Sequence, residues 1–381
     1  MIPYGRQDIR QEDIDAVVDV LKSDFLTQGP QVPAFEQAVA KAAGARHAVA
    51  VNSATSALHI ACLALGLGPG DLLWTSPITF VASANVGRLC GADVDFVDVD
   101  PDTANMCPQA LAEKLAAAKA AGRLPKVLIP VHMCGQSCDM AAIGALARDY
   151  GVKIVEDASH AIGGSFEGKP VGDCRHSDIT VFSFHPVKIV TTAEGGVATT
   201  QDADLARRME LFRSHGVTRD PALMEGESEG GWYYQQVELG LNYRMTELQA
   251  ALGVTQMTRL AEYVDRRNAL AERYDAALGN LPLKRPGRLA QARSSFHLYV
   301  IRVEAARRRA VFDALRAEGI GVNVHYIPVH TQPYYRRLGF APGQFPQAEG
   351  YYAQAISIPL YHGLTEAAQD QVVAAVEKAL A

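Results

Sequence analysis

The sequence predicts an α/β protein: a mostly parallel central sheet covered on both faces, followed by a smaller C-terminal α+β unit. Three observations carry this. Short apolar, β-branched runs alternate with helical stretches between residues 47 and 184, a spacing that suits strands joined by helical crossovers. Beyond Leu281 the character changes, with Pro282 and Pro286 punctuating a linker before a new set of strand and helix patterns. With 381 residues, 48% of them apolar, the chain can bury one large core and a second, smaller one. The large domain is expected at residues 1–250, its N-terminal segment packing on the small domain. The small domain is expected at 251–381, including the long helix that links the two.

In chain order, Ile9, Ile14, Val17, Val18 and Leu21 recur at helical spacing and predict an amphipathic helix over 7–22. Phe25-Leu26-Thr27-Gln28-Gly29-Pro30 ends it in a turn, and a second helix over 32–43 leads to a strand at 47–51. A helix over 57–65, a strand at 72–75, a helix ending near Cys90 and strands at 94–97 and 127–131 follow, the last two separated by a helix over 108–120. Next come a strand at 153–155, a hairpin-like segment at 164–172 and a strand at 179–184. A helix over 205–211 and a surface loop at 221–231 precede one long helix over 246–278, with Thr246 as N-cap and Gly279 just past its end. The C-terminal unit reads as strand 295–303, helix 305–318, strand 321–326 and a closing amphipathic helix over 365–380.

Composition narrows the function classes. A net charge of -6 argues against a nucleic-acid surface, which phosphate binding would make basic. The opening MIPYGRQDIRQEDID lacks the apolar stretch of a secretory signal, and no apolar run is long enough to span a membrane. A cytoplasmic location is expected. Six scattered cysteines in so long a chain read as reduced thiols rather than a disulfide framework.

Chemistry gathers where strands end, because ligands of open parallel sheets bind beyond the strands' carboxyl ends. Strand ends at Asn52, Asp157 and Phe184 are expected to converge on one cleft. Asn52-Ser53-Ala54-Thr55-Ser56 opens a helix with three hydroxyls in four residues, and free N–H donors at a helix N-terminus attract phosphate. For Ser53 alone, helix capping is the simpler role. Glu156-Asp157-Ala158-Ser159-His160 sets a carboxylate at the second strand end, where a helix-capping Asp is also common. At the third, the chain turns at His185-Pro186 and brings Lys188 in among Val187, Ile189 and Val190. An amine with apolar neighbours loses its proton more easily, and a neutral amine forms a Schiff base with an aldehyde. By position alone, Lys188 reads more simply as a lysine reaching solvent from a strand end, and Phe80 as a core residue.

Other motifs fail on context. Gly163-Gly164-Ser165-Phe166-Glu167-Gly168-Lys169 opens like a P-loop, but Pro170 stands where a magnesium-binding hydroxyl belongs. Gly66-Leu67-Gly68-Pro69-Gly70 follows a helix rather than preceding one, so it is a helix-ending turn and not a dinucleotide fingerprint. His132, Cys134 and Cys138 lack the fourth ligand of a structural zinc site, and no metal is expected. His325 and His330 have no carboxylate at ligand spacing and are kept as candidate substrate contacts. No G-x-S-x-G elbow supports a serine hydrolase.

Taken together, Asn52-Ser53-Ala54-Thr55-Ser56, Thr79-Phe80, Glu156-Asp157-Ala158-Ser159-His160, Phe182-Ser183-Phe184-His185-Pro186-Val187-Lys188 and Gly240-Leu241-Asn242-Tyr243-Arg244 resemble the nucleotide-sugar aminotransferases of the DegT/DnrJ/StrS family. The resemblance extends from Tyr4-Gly5-Arg6 to the closing helix. It implies fold type I of the pyridoxal phosphate (PLP) enzymes, a homodimer with shared active sites, L-glutamate as amino donor and a UDP-linked keto sugar as acceptor. By the same resemblance Lys188 is the Schiff-base lysine and proton shuttle, and Asp157 pairs with the pyridinium nitrogen. Phe80 is implied to stack on the ring, Thr55, Ser56 and Ser183 to hold the phosphate, and Asn242 to reach it from the partner subunit. His160 stands where many relatives carry glutamine near the ring hydroxyl, and Ala193 replaces a common glycine. Tyr4, Arg6, Thr27, Gln28, His215, His325 and Tyr326 fall where the family contacts substrate.

Within the family, MIPYGRQDI, VNSATSALHIACLALG, FSFHPVKIVTTAEGG and VHYIPVHTQPYY resemble the PseC type of the pseudaminic acid pathway. That type aminates C4 of UDP-2-acetamido-2,6-dideoxy-β-L-arabino-hex-4-ulose. Relatives that dehydrate or deoxygenate sugars carry histidine in place of the lysine, so Lys188 favours transamination. Two alternatives stay open: another 4-keto or 3-keto nucleotide-sugar aminotransferase, and a non-catalytic sugar-binding relative.

Overall fold

The computed structural model describes residues 1–381. Helices α1 (Gln11–Lys22) and α2 (Gln31–Ala43) precede strand β1 (His47–Val51). There follow α3 (Ala54–Ala64), β2 (Leu72–Thr75), α4 (Ala82–Leu89), β3 (Asp93–Phe96), α5 (Pro108–Ala120), β4 (Val127–Ile129), α6 (Met140–Tyr150) and β5 (Lys153–Asp157). Strands β6 (Ser165–Phe166) and β7 (Lys169–Pro170) make a small hairpin before β8 (Ile179–Ser183), β9 (Gly196–Thr200) and α7 (Ala203–Arg213). Strands β10 (Val217–Thr218) and β11 (Gln235–Gln236) flank the exposed loop expected at 221–231.

These strands form a seven-stranded sheet in the order β1-β9-β8-β5-β4-β2-β3. Every pairing from β3 across to β8 is parallel, and β9 alone runs against its neighbours β1 and β8. Strands β1, β5 and β8 therefore point the same way, and the ends at Asn52, Asp157 and Phe184 share one edge, as expected. Strand β9 escapes a sequence reading because it opens on glycine and buries Thr199 and Thr200 rather than large apolar side chains. Those hydroxyls donate to Gly172 O at 3.1 Å and Asp178 O at 2.8 Å, which makes their burial tolerable. The first residue of β9 has to be glycine: a Cβ on Gly196 would stand 2.4 Å from Ser53 O.

The helix expected over 246–278 is two helices, α8 (Glu247–Met257) and α9 (Leu260–Ala277). Thr246 does cap α8, in a capping box with Gln249, while the Glu247 carboxylate caps α2 by accepting from Gln31 N at 2.6 Å and Val32 N at 3.2 Å. At the break Arg259 leaves helical geometry (φ -106°, ψ 6°), and its buried guanidinium meets buried Asp13 of α1 at 2.6 Å.

The C-terminal part contains β12 (Ala292–Arg293), which pairs with β6, then β13 (Tyr299–Arg302), α10 (Arg308–Ala317), α11 (Pro333–Arg336), α12 (Pro346–Gln354), β14 (Ala355–Ile358) and α13 (Glu366–Leu380). Strand β13 pairs antiparallel with β14 and is shorter than the strand expected over 295–303. The strand expected over 321–326 is absent, since within it only Asn323 bridges, to Ser357; the segment buries His325 and leaves Tyr326 half-buried.

A small core of Leu270, Tyr274, Tyr299, Ile301, Val311, Leu315, Ile356 and Val376 belongs to this part. Its limit is not at residue 250. Leu260, Tyr263 and Val264 of α9 pack with Phe35, Phe182 and Phe184 of the large unit, so α9 passes from one core to the other along its length. Val329, Tyr335, Phe345 and Tyr351 also return to the large core beside Phe96. The N-terminal segment reaches C-terminal elements: Ile2 bridges to Ile320, and Leu360 N donates to Tyr4 O at 3.1 Å. No helix is long and apolar enough to cross a membrane.

Candidate active site

The three strand ends build one polar cleft. β5 delivers Asp157, buried, with both carboxylate oxygens fixed: Ser83 Oγ donates to Oδ2 at 2.6 Å and Ser159 N to Oδ1 at 3.1 Å. Ser83 is itself 2.7 Å from Thr79 Oγ1, so one turn of chain beside Phe80 holds the carboxylate in place. Hydrogen bonds of this charge-assisted kind contribute about 1.5–3 kcal/mol each.

Beyond β8 the turn at His185-Pro186 lowers Lys188 into the same cleft. Its amine has neither a salt bridge nor a side-chain hydrogen bond. Burial pulls its pKa from 10.5 down to about 8, opposed by the attraction of Asp157. Near neutral pH more of this amine is therefore unprotonated than of an exposed lysine.

A cluster of rings faces Lys188. His160 and His297 pack with centroids 4.3 Å apart, and the Tyr326 hydroxyl lies 3.2 Å from His160 Nε2. His325 lies beside Tyr326 and Tyr4, with Nδ1 2.7 Å from Ser357 Oγ. Burial, then the charges of Lys188 and His325, press His160 well below the usual imidazole range. Burial and then Lys188 bring His325 down to about 4, and burial raises the Tyr326 phenol. At neutral pH all three are uncharged, so Lys188 and Asp157 carry the ionic chemistry of the cleft. Phe80 sits at the rim, 60% exposed, its ring 6.3 Å from that of Tyr326.

The helix-start motif folds as a cradle. Ser53 caps α3 by accepting from Ser56 N at 3.1 Å, and Ser56 Oγ donates to Asn52 Oδ1 at 2.6 Å. The first-turn N–H groups of Ala54 and Thr55 have no partner within the helix. Gly196 pairs with Val51 on one side and Ser183 on the other, which sets the buried Ser183 beside this helix start.

Of the residues singled out in the sequence, Asp157, Lys188, His160, Ser183, Ser56, His325, Tyr326 and Tyr4 are brought together or face the cleft. Arg6, Thr27, Gln28, His215 and Asn242 are exposed in the single chain and make no side-chain hydrogen bond. His330 is not a cleft residue: it is buried against Phe345, with Nε2 3.0 Å from Glu349 Oε1. His132 is engaged as well, its Nε2 2.6 Å from Glu156 Oε2 and its Nδ1 accepting from Cys138 N at 3.2 Å, a buried hydrogen-bonded pair on the far face of β5. Sequence reading missed Ser83, His297 and Ser357. Ser83 had one usable signal, its i,i+4 spacing from Thr79.

Residues 7–377 match the DegT/DnrJ/EryC1/StrS aminotransferase family. The chain belongs to this family. It is 40% identical over 382 residues to the Bacillus subtilis spore coat polysaccharide biosynthesis protein SpsC, covering 98% of this chain and 96% of SpsC. The Helicobacter pylori aminotransferase PseC, involved in the biosynthesis of pseudoaminic acid, superposes with a TM-score of 0.91 at 31% identity, over 100% of this chain and 99% of that one. A Streptococcus pneumoniae putative sugar aminotransferase, Spr1654, superposes in its PLP-form with a TM-score of 0.90 at 30% identity, over the whole of both chains. As a DegT-family aminotransferase the protein is a PLP-dependent enzyme of the fold these relatives share. Its residues fit the cofactor: an unpaired amine for the aldehyde, an anchored carboxylate for the ring nitrogen, and a helix start made accessible by Gly196 for the phosphate.

Proposed function

We propose that this enzyme takes the amino group of L-glutamate and delivers it to C4 of a UDP-linked 4-keto-6-deoxy-N-acetyl sugar, UDP-2-acetamido-2,6-dideoxy-β-L-arabino-hex-4-ulose, in a cytoplasmic route to pseudaminic acid. The observation that carries the reading is Lys188, a half-buried amine with no partner, opposite a carboxylate already held by Ser83 and Ser159. PLP, when bound, supplies an aldehyde for that amine and a ring that accepts an electron pair.

The chain's own groups do the rest. With PLP bound, Lys188 Nζ would be the group that holds its aldehyde carbon and, when free, the base that moves a proton between the reacting carbons. Asp157 keeps a proton on the ring nitrogen. Ser56, Ser183 and the α3 N-terminus hold the phosphate, with Thr55 at their edge. Phe80 covers the ring at the rim. The neutral His160, His325 and Tyr326 orient without competing for the charge. Tyr4, His325 and Tyr326 face the sugar, whereas Asn242 reaches the phosphate of a partner subunit, and Arg6, Thr27, Gln28 and His215 complete the nucleotide side in a homodimer. The exposure of the last five residues in a single chain supports that assignment.

The name of SpsC, tied to a spore coat polysaccharide, favours a second reading with a different keto sugar. A panel of 4-keto and 3-keto nucleotide sugars, offered with L-glutamate and scored by product mass, separates the two. Conversion of the arabino-hex-4-ulose at the highest kcat/KM supports the first reading; preference for another ketose replaces it.

A further inference from the structure

We propose that the cleft between the loop after β3 and the linker at residues 283–289 is a second binding site, separate from the Lys188 cleft, that takes the diphosphate group of a small metabolite.

The cleft encloses about 860 Å³, within the size range of small-molecule sites. Asp100, Asp102 and Thr103 line it from the large unit, and Lys284, Arg285 and Arg288 from the linker. None of its residues belongs to the Lys188 cleft. Strand β3 is the edge of the sheet, with β2 and β4 between it and β5, so it runs three strand spacings, about 14 Å, from the strand that carries Asp157.

The linker is held in place along its length. Lys284 and Arg302 exchange backbone hydrogen bonds of 2.8 and 2.9 Å, Gly287 N donates to Asp102 O at 3.2 Å, and Leu289 N donates to Gln136 Oε1 at 3.1 Å. A Cβ on Gly287 would stand 2.6 Å from Asp102 O, so glycine is what lets the linker close on the loop. A ligand entering here has little backbone left to order.

Charge decides the class of ligand. Four cations and three carboxylates line the cleft, a positive excess in a chain whose net charge is -6. The carboxylates are already engaged: Asp100 Oδ1 accepts from Thr103 N at 2.8 Å, Asp102 Oδ1 from Arg302 Nη2 at 3.1 Å, and Asp275 from Tyr299 and Arg288. Lys284 Nζ has no partner, and the Arg285 guanidinium makes one contact, Nη1 to Asp275 O at 2.8 Å. An amine and a guanidinium with N–H groups to spare, on a fixed wall, match the several acceptor oxygens and the charge of a diphosphate.

The test titrates inorganic pyrophosphate into full-length, PLP-loaded protein by calorimetry, as wild type and as the Lys284→Ala, Arg285→Ala double variant. Wild type is expected to bind one pyrophosphate per chain at least about tenfold more tightly than the double variant, which lacks two charge-assisted contacts. Equal melting temperatures without pyrophosphate are expected and show that the variant is folded. A second arm with UDP separates the sources: a UDP site lost in the double variant makes the ligand a nucleotide, whereas unchanged UDP binding beside lost pyrophosphate binding makes it a free diphosphate. Pyrophosphate binding that survives the double substitution overturns the proposal. So does a wild type that binds none, or a signal that sodium sulfate at the same ionic strength reproduces in full.

Discussion

Lys188 shows how far a single residue can be read. Its neighbours in the sequence announced an apolar setting, yet only the fold reveals that the amine lacks a partner and that Asp157 is its opposing charge. Labelling of the cofactor-free protein with an amine-selective reagent should reach half its limiting rate at Lys188 near pH 8, against about 10.5 for surface lysines. Since the folded value lies below the unfolded one, the unfolded chain binds more protons between them, and Lys188 makes stability rise with pH across that window. Ser83→Ala removes the donor to Asp157 Oδ2 and should lower kcat/KM by about tenfold or more, with little change in melting temperature. Asp157 and Lys188 were legible as candidates because a carboxylate and an amine at strand ends are residue types that ligand chemistry uses. Ser83, His297 and Ser357 were not, because they act by touching Asp157, His160 and His325 respectively from elements remote in sequence.

Among the elements, α1, α8 and α9 are tied by a buried pair that no local pattern discloses. Asp13 accepts from Arg259 and also from Thr255 and Gln256, so Asp13→Ala leaves the guanidinium buried without its charge partner. A loss of about 3–5 kcal/mol is expected in chemical denaturation. Burial works to raise the Asp13 pKa, but Arg259 and the Arg10 backbone N–H hold it below its ordinary value. The stability it contributes is therefore complete above the ordinary carboxylate range and lost as pH falls through the lowered folded value, a dependence that Asp13→Ala should abolish. At β9, Gly196→Ala would push a methyl against Ser53 O and should weaken PLP binding together with stability, because the same carbonyl belongs to the α3 start. The helices with clear caps and the apolar strands were readable from local sequence. The break at Arg259, the threonine-rich β9 and the pairing of β13 with β14 were not, since each depends on a partner far along the chain.

For the whole molecule, the α/β class and the edge on which the site lies followed from the alternation of strands and helices and from the direction that crossovers impose. The passage from large to small core along α9 did not, because one continuous amphipathic pattern serves both cores. A homodimer with Asn242 acting across the interface predicts that inactive Lys188→Ala and Asn242→Ala chains, refolded together, recover about one quarter of wild-type activity, as random pairing restores one site in half the dimers. Recovery of none would place Asn242 in its own subunit's site. The central claim is that Lys188 binds PLP and transfers an amino group with it. Adding L-glutamate to the purified, PLP-loaded enzyme under single-turnover conditions should bleach the cofactor's visible absorbance with one 2-oxoglutarate released per chain, and the keto sugar nucleotide should restore it. Lys188→Ala should do neither, and a Lys188→Ala enzyme that completes both half-reactions at the wild-type rate would contradict the account.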